Sequence, residues 1–169
     1  LLLAAAPNTA LAQNEDGHTA LELALLLNER GLDEDEQWHV DLQQGNLECA
    51  HALLPFHPTA EALAALAAAG PDALPLYADC LIAHPTLTAG QWAVVPQPCP
   101  GLGRALPAVL TSDPAQAGQL VRRLPPEDAQ RLRTAALALH RAQRELEQPL
   151  PPHVVAAILA LSCVEDAAD

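Results

Sequence analysis

Seven histidines and four cysteines are the side chains of this sequence that could hold a metal or act as nucleophiles. Their spacing argues against both. Cys49 and His51 stand two apart, and positions two apart on a helix point in different directions, so they would not share an ion. Cys49, Cys80, Cys99 and Cys163 show no CxxC or CxH spacing. Zinc sites need clustered ligands and disulfide scaffolds are smaller and denser in Cys, so these read as partly buried thiols in a reducing compartment. Gly101-Leu102-Gly103-Arg104 lacks the Lys-bearing pattern and the preceding strand of a phosphate loop and reads as a helix start after Pro100. Ser162-Cys163 has no base at useful spacing. Asp33-Glu34-Asp35-Glu36 lacks the spaced ligands and the glycine of a calcium loop. It reads as a solvated loop or as an electrostatic contact for a basic partner, with Trp38 beside it as an anchor. The expectation is no enzyme, no cofactor and no metal.

The elements that must position these residues are helices. Ala and Leu dominate, Val and Ile are scarce, and no stretch alternates with period two long enough to argue for a strand,. Proline marks the boundaries, because it fits the first turn of a helix and disrupts the interior. His57-Pro58-Thr59, His84-Pro85-Thr86 and Ser112-Asp113-Pro114 each precede an apolar stretch. In the last, Asp113 can cap the helix and Arg122 and Arg123 fall near its negative end. Pro125-Pro126 starts a helix running to about Glu147, with Leu132, Ala135, Ala136, Leu139 and Ala142 at three-four spacing and Arg131, Arg133, Arg141 and Arg144 mostly off that stripe. Pro151-Pro152 starts a final helix with an apolar face of Val154, Val155, Ile158, Leu159 and Leu161. The net charge is −13 over 169 residues, and it is unevenly spread. Residues 1–60 carry ten acids and one Arg, whereas residues 101–169 carry eight acids and seven Arg. The acidic half would be repelled by phosphate backbones and anionic lipid, and no run approaches the ~20 apolar residues of a spanning helix. Neither nucleic acid nor membrane is expected as a partner.

The informative segment is Asp16-Gly17-His18-Thr19-Ala20-Leu21-Glu22-Leu23-Ala24. A turn glycine leads to a Thr that can cap a helix, which then places Leu21 and Ala24 on one slim face. The segment resembles the opening of an ankyrin repeat, Asp-Gly-x-Thr-Pro-Leu-His-x-Ala, with Ala20 in place of Pro and Glu22 in place of His. Gly45-Asn46-Leu47-Glu48-Cys49-Ala50-His51-Ala52-Leu53-Leu54 resembles the second helix of the same repeat, with Cys49 and Ala50 as small core residues. His39 stands where that family's first helix carries its hydrogen-bonding His, after Trp38 in place of Leu. Leu1-Leu2-Leu3 and the Ala-Pro connection after it resemble the end of a preceding repeat, as in ankyrin arrays of green algae. The register departs from the family. Thr19 and its equivalent Glu36 are 17 residues apart, against 33 for a full repeat, so the pattern is broken near residues 28–37.

The resemblance implies an all-α protein: the end of an ankyrin-type solenoid over residues 1–57, then a small helical capping bundle over residues 58–169. It implies a monomeric, cytoplasmic interaction scaffold that binds a protein partner, basic in charge, along the turn tip and the inner helix face. That surface is carried onto Gln13, Asn14, Glu15, Asp16, His18 and Glu22, joined by Asp33, Glu34, Asp35 and Trp38. Two other readings compete. The closing LPPHVVAAILALS resembles the first helix of an F-box, which would make the chain a substrate adaptor of a ubiquitin ligase. The opening apolar run and Ala10-Leu11-Ala12 would suit a signal peptide cleaved before Gln13, which would make it a secreted helical protein.

Overall fold

Proline and glycine divide the chain into short helices, and the computed structural model follows that punctuation closely. It describes residues 10–29, 38–145 and 150–162. The described residues are helices and turns, with one isolated bridge between Gln13 and Thr19 in place of any strand. The all-α expectation therefore holds. Two compact units, Leu1–His84 and Pro85–Asp169, divide the contacts.

In the first unit the helices are α1 (Ala20–Glu29), α2 (Trp38–Leu53), α3 (Thr59–Ala68) and α4 (Leu76–Ala83), with 3-10 turns at Leu54–Phe56 and Gly70–Ala73. Helix α1 packs mainly on α2 and also on α3, while α4 packs on α2 and α3. The core is leucine-rich: Leu21, Leu54, Leu63, Leu66 and Leu81 are essentially fully buried, with Tyr77 and Ala50 among them. Each such Leu contributes ~1.5–3 kcal/mol by leaving water. Leu21 and Ala24 share the buried side of α1 as expected. The change of motif at residues 57/58 is not a structural break, because α3 and α4 complete the unit begun by α1 and α2 and carry it to His84.

Two details differ from the repeat pattern. Helix α2 runs unbroken through Gly45, so His39 and Leu47, assigned by resemblance to successive helices, lie on one helix. Cys49 is exposed and Ala50 is buried. Adjacent helical positions diverge by about 100°, so the two cannot both face the core.

The second unit contains α5 (Ala89–Val94), α6 (Leu106–Ser112), α7 (Ala117–Val121), α8 (Pro126–Glu145) and α9 (Pro152–Leu161), with 3-10 turns at Leu102–Ala105 and Pro114–Gln116. Its core holds Trp92, Leu102, Leu106, Val109, Leu120 and Leu132. The helix start expected after Pro100 is a 3-10 turn led by Gly101 at φ +74° and continued by α6. Asp113 caps the next turn, accepting from the Ala115 N–H at 3.1 Å. Helix α9 packs on α6 and α8, and its most buried described position is Ala156, while Ile158 is exposed. A small side chain there lets the helix approach closely, a contact that apolar periodicity alone does not rank highest.

Candidate functional site

The expected partner surface begins at the turn Gln13–Thr19. Asn14 builds it: its Oδ1 accepts from the N–H groups of Asp16 (3.0 Å) and His18 (2.9 Å), and its own N–H donates to the His18 carbonyl at 2.9 Å. Gly17 donates to the Asn14 carbonyl at 3.0 Å with φ +83°, the left-handed conformation that glycine adopts without a Cβ clash,. Asn14 is thus committed to the turn, while Glu15 and Asp16 stand exposed at its tip.

The turn feeds α1 through a reciprocal cap. The Glu22 N–H donates to Thr19 Oγ1 at 3.3 Å, and Glu22 Oε2 accepts from the Thr19 N–H at 2.7 Å and its hydroxyl at 3.1 Å. Glu22 thus bonds both the N–H and the hydroxyl of Thr19 at the start of α1. The Thr19 N–H, joined by the hydroxyl and the nearby histidines, holds its carboxyl below the usual range despite partial burial,. The second unit repeats the device with Thr88 and Gln91 at the start of α5. Both caps follow the Thr-x-x-Glu/Gln pattern, which is legible in the sequence.

A cleft of ≈ 390 Å³ opens between this turn, α1 and the start of α3, walled by Leu11, Gln13, Thr19, Glu22, His57 and Glu61 among others. His57 is 3% exposed. Its ring is hydrogen-bonded to the backbone of Ala10, which is itself buried. Nε2 has no hydrogen-bond partner among the described residues. Burial pushes the imidazole below the ordinary histidine value, although Glu61 and Glu22 pull the other way and the Ala10 backbone does too. At neutral pH the ring is therefore uncharged. With Nδ1–H donated to the Ala10 carbonyl, Nε2 is left as a lone-pair acceptor. An apolar groove of ≈ 200 Å³ adjoins the cleft and shares Glu22, Ala64 and Ala65 with it. It is lined also by His18, Leu25, Leu26 and Ala68.

The structure thus brings Gln13, His18 and Glu22 to one continuous surface and adds His57 and Glu61, which sequence reasoning missed. His57 was legible only as a boundary residue before Pro58, because its burial depends on Ala10, 47 residues earlier in the chain. Asp33, Glu34 and Asp35 lie outside the described residues, as do Leu1-Leu2-Leu3 and Cys163. Trp38 is the first residue of α2.

Elsewhere, His51 Nδ1 lies 3.3 Å from a carboxylate oxygen of Asp79. Among the described residues no group of three or more His, Cys, Asp or Glu is placed to hold a metal. No helix of the described residues is long and apolar enough to cross a membrane. In the second unit Arg123 lies 5.1 Å from the Trp92 ring centroid and donates to the carbonyls of Trp92 (2.6 Å), Gln119 (3.0 Å) and Val95 (3.3 Å). Gln116 Oε1 accepts from the Trp92 indole and the Leu87 N–H, at 2.8 and 2.9 Å. This network joins α5 to α7 and is structural: it uses the polar atoms of its members on one another. Comparison with protein-family models, with curated proteins and with solved structures gives no match.

Proposed function

We propose that the chain is a non-catalytic protein-interaction module, built as the end of an ankyrin-type helical array, whose first unit binds a basic segment of a partner. The observation that carries this reading is the cleft between α1 and α3. Glu22, Glu61 and the buried His57 are among its walls, in a unit whose sequence holds thirteen acids against one Arg. An apolar groove runs on from it. An interface of this kind combines an apolar anchor with complementary charge, which sets partner choice and association rate. The ligase-adaptor reading gains less support, since α9 is packed into its own unit. The export reading would remove Ala10 from the core and strip His57 of its backbone partner.

The test is fluorescence anisotropy of a labelled amphipathic peptide of alternating Lys-rich and Leu-rich faces, titrated with the full chain. Saturable binding that weakens with added salt is expected, with at least a tenfold loss in the triple variant E15K/D16K/E61K. Equal affinity for the triple variant, or for an acidic peptide of the same apolar pattern, would sink the proposal.

A further inference from the structure

Residues 129–144 of α8 hold four Arg, one His and no acid, inside a chain of net charge −13. Among the described residues only Arg131 of these four has an ion-pair partner, Asp128 at 3.8 Å. At 100° per residue, Arg133, Leu137, Arg141 and Arg144 fall on one side of the helix, opposite the buried Leu132 and the half-buried Leu139,. Leu137 is 54% exposed, the most exposed large apolar side chain among the described residues. Arg133 stands one turn before it and Arg141 one turn after. An apolar knob flanked by cations is complemented by an apolar recess flanked by acids.

The first unit presents that recess. The α1/α3 groove is open, ≈ 200 Å³ in volume, and lined mainly by Leu25, Leu26, Ala64, Ala65 and Ala68. A ~150 Å³ apolar cavity holds a benzene-sized group, so the groove admits a leucine side chain. Leu26 on its wall is itself 36% exposed. Glu22 also lines the groove, Glu61 stands one turn before Ala65 on α3, and Glu15 and Asp16 are exposed on the turn leading into α1.

We infer that the chain associates head to tail with itself, in place of the monomer that the repeat resemblance implies: Leu137 of one copy seats in the α1/α3 groove of a second, and Arg133 and Arg141 meet the acidic surface around it. The inference rests on the interaction reading above and names the basic partner segment as α8 of another copy. Charge complementarity selects this pairing, because the first unit carries a net −12 by sequence, whereas two α8 faces would set arginines against arginines. The two surfaces differ, so the contact is heterologous, and it extends into open chains or closes as a ring. One helix face on one groove lies at the small end of interface sizes, below ~1,200 Å², so the association is transient and depends on protein concentration.

The experiment is sedimentation velocity of the full chain over a series of protein concentrations at low salt. The weight-average sedimentation coefficient should rise with concentration, and the rise should shrink when NaCl at ~0.3 M screens the charges. Leu137→Gln and Ala68→Arg, both at exposed positions, should each keep the helical circular dichroism of the parent and weaken self-association at least tenfold. Mixed in equal amounts, the two variants should form a dimer and nothing larger, because the first retains the groove and the second retains the knob. A coefficient independent of concentration in the parent chain would overturn the inference. So would a mixture that stays monomeric while the parent associates. An Ala68→Arg chain that associates like the parent would place the contact elsewhere, such as α8 against α8, and refute it as well. The Lys/Leu peptide separates this inference from the reading it rests on. Peptide binding by a chain that does not self-associate would leave the interaction module standing and remove the head-to-tail contact. Self-association with rescue on mixing, but no peptide binding, would establish the contact and remove the reading of a foreign basic partner.

Discussion

At the scale of single residues, His57 and the cysteines make the sharpest claims. His57 is buried as the neutral ring, so its pKa in the folded chain lies below the unfolded value of about 6.5,. The unfolded chain then binds more protons between the two values, and stability rises with pH across that window. Acidification from pH 7.5 to 5.5 should therefore lower the urea midpoint of the first unit. The facing charges, Glu22 on α1 and Glu61 on α3, with His18 near Glu22, moderate the loss without reversing it. A folded His57→Gln chain should show a flatter slope over the same range, and an unchanged slope would assign the pH dependence to another group. The cysteines differ in a second measurable way. Burial pushes the Cys80 thiol up to about 12, with Asp79 adding to the effect, and Cys99 up to about 11. Only thiolate reacts with a disulfide reagent. At pH 8 in the native chain, Cys49 should label within the mixing time of a manual assay, while Cys80 and Cys99 should label at the rate of structural opening. Peptide mapping of the modified sites checks this, and early modification of Cys80 would contradict its placement.

At the scale of elements, α2 is the place where local pattern and structure part. The repeat resemblance puts a turn before Gly45, where glycine would serve the chain reversal. The structure carries one helix through that position, with open space around a Cβ built there. Glycine inside a helix costs ~1 kcal/mol relative to alanine. Gly45→Ala should therefore raise stability by roughly 0.5–1 kcal/mol, read as an increase in the urea midpoint at constant slope. Destabilisation would restore the turn. Gly17 is the internal control: at φ +83° an alanine there should destabilise by ~1–2 kcal/mol, the cost of the left-handed conformation for a residue with a Cβ. Helix α8 shows a milder mismatch. Its stripe was legible from spacing, yet along it Leu132 is buried, Ala135 and Leu139 are half-buried, and Ala136 and Ala142 are exposed. Periodicity specifies which residues share a face but not how far along the helix that face is covered.

At the scale of the whole molecule, the charge asymmetry seen along the sequence coincides with the structural division. Residues 1–84 carry a net −12 and residues 85–169 a net −1. Self-repulsion destabilises a compact unit of high net charge, and salt screens it over a Debye length of ~10 Å at 0.1 M. Raising NaCl from 10 to 300 mM should therefore increase amide protection across α1–α4 and leave α5–α9 nearly unchanged, as measured by hydrogen exchange on the intact chain. A uniform response of both units would show that the carboxylates of the first unit are too well spaced or solvated to repel.

By itself, the sequence determined the helical class, the proline-led helix starts, the buried side of α1 and the acidic character of the first unit. These follow from local chemistry: propensity, capping, three-four spacing and the sum of charges act over a few residues or over none in particular. Tertiary structure decided the continuity of α2, the extension of the first unit to His84 and the assembly of the cleft. Each depends on packing between segments far apart in the chain, as when Ala10 covers and hydrogen-bonds His57. Burial of that ring is what turns an unremarked residue before a proline into an unpaired acceptor, and no spacing along the sequence encodes it.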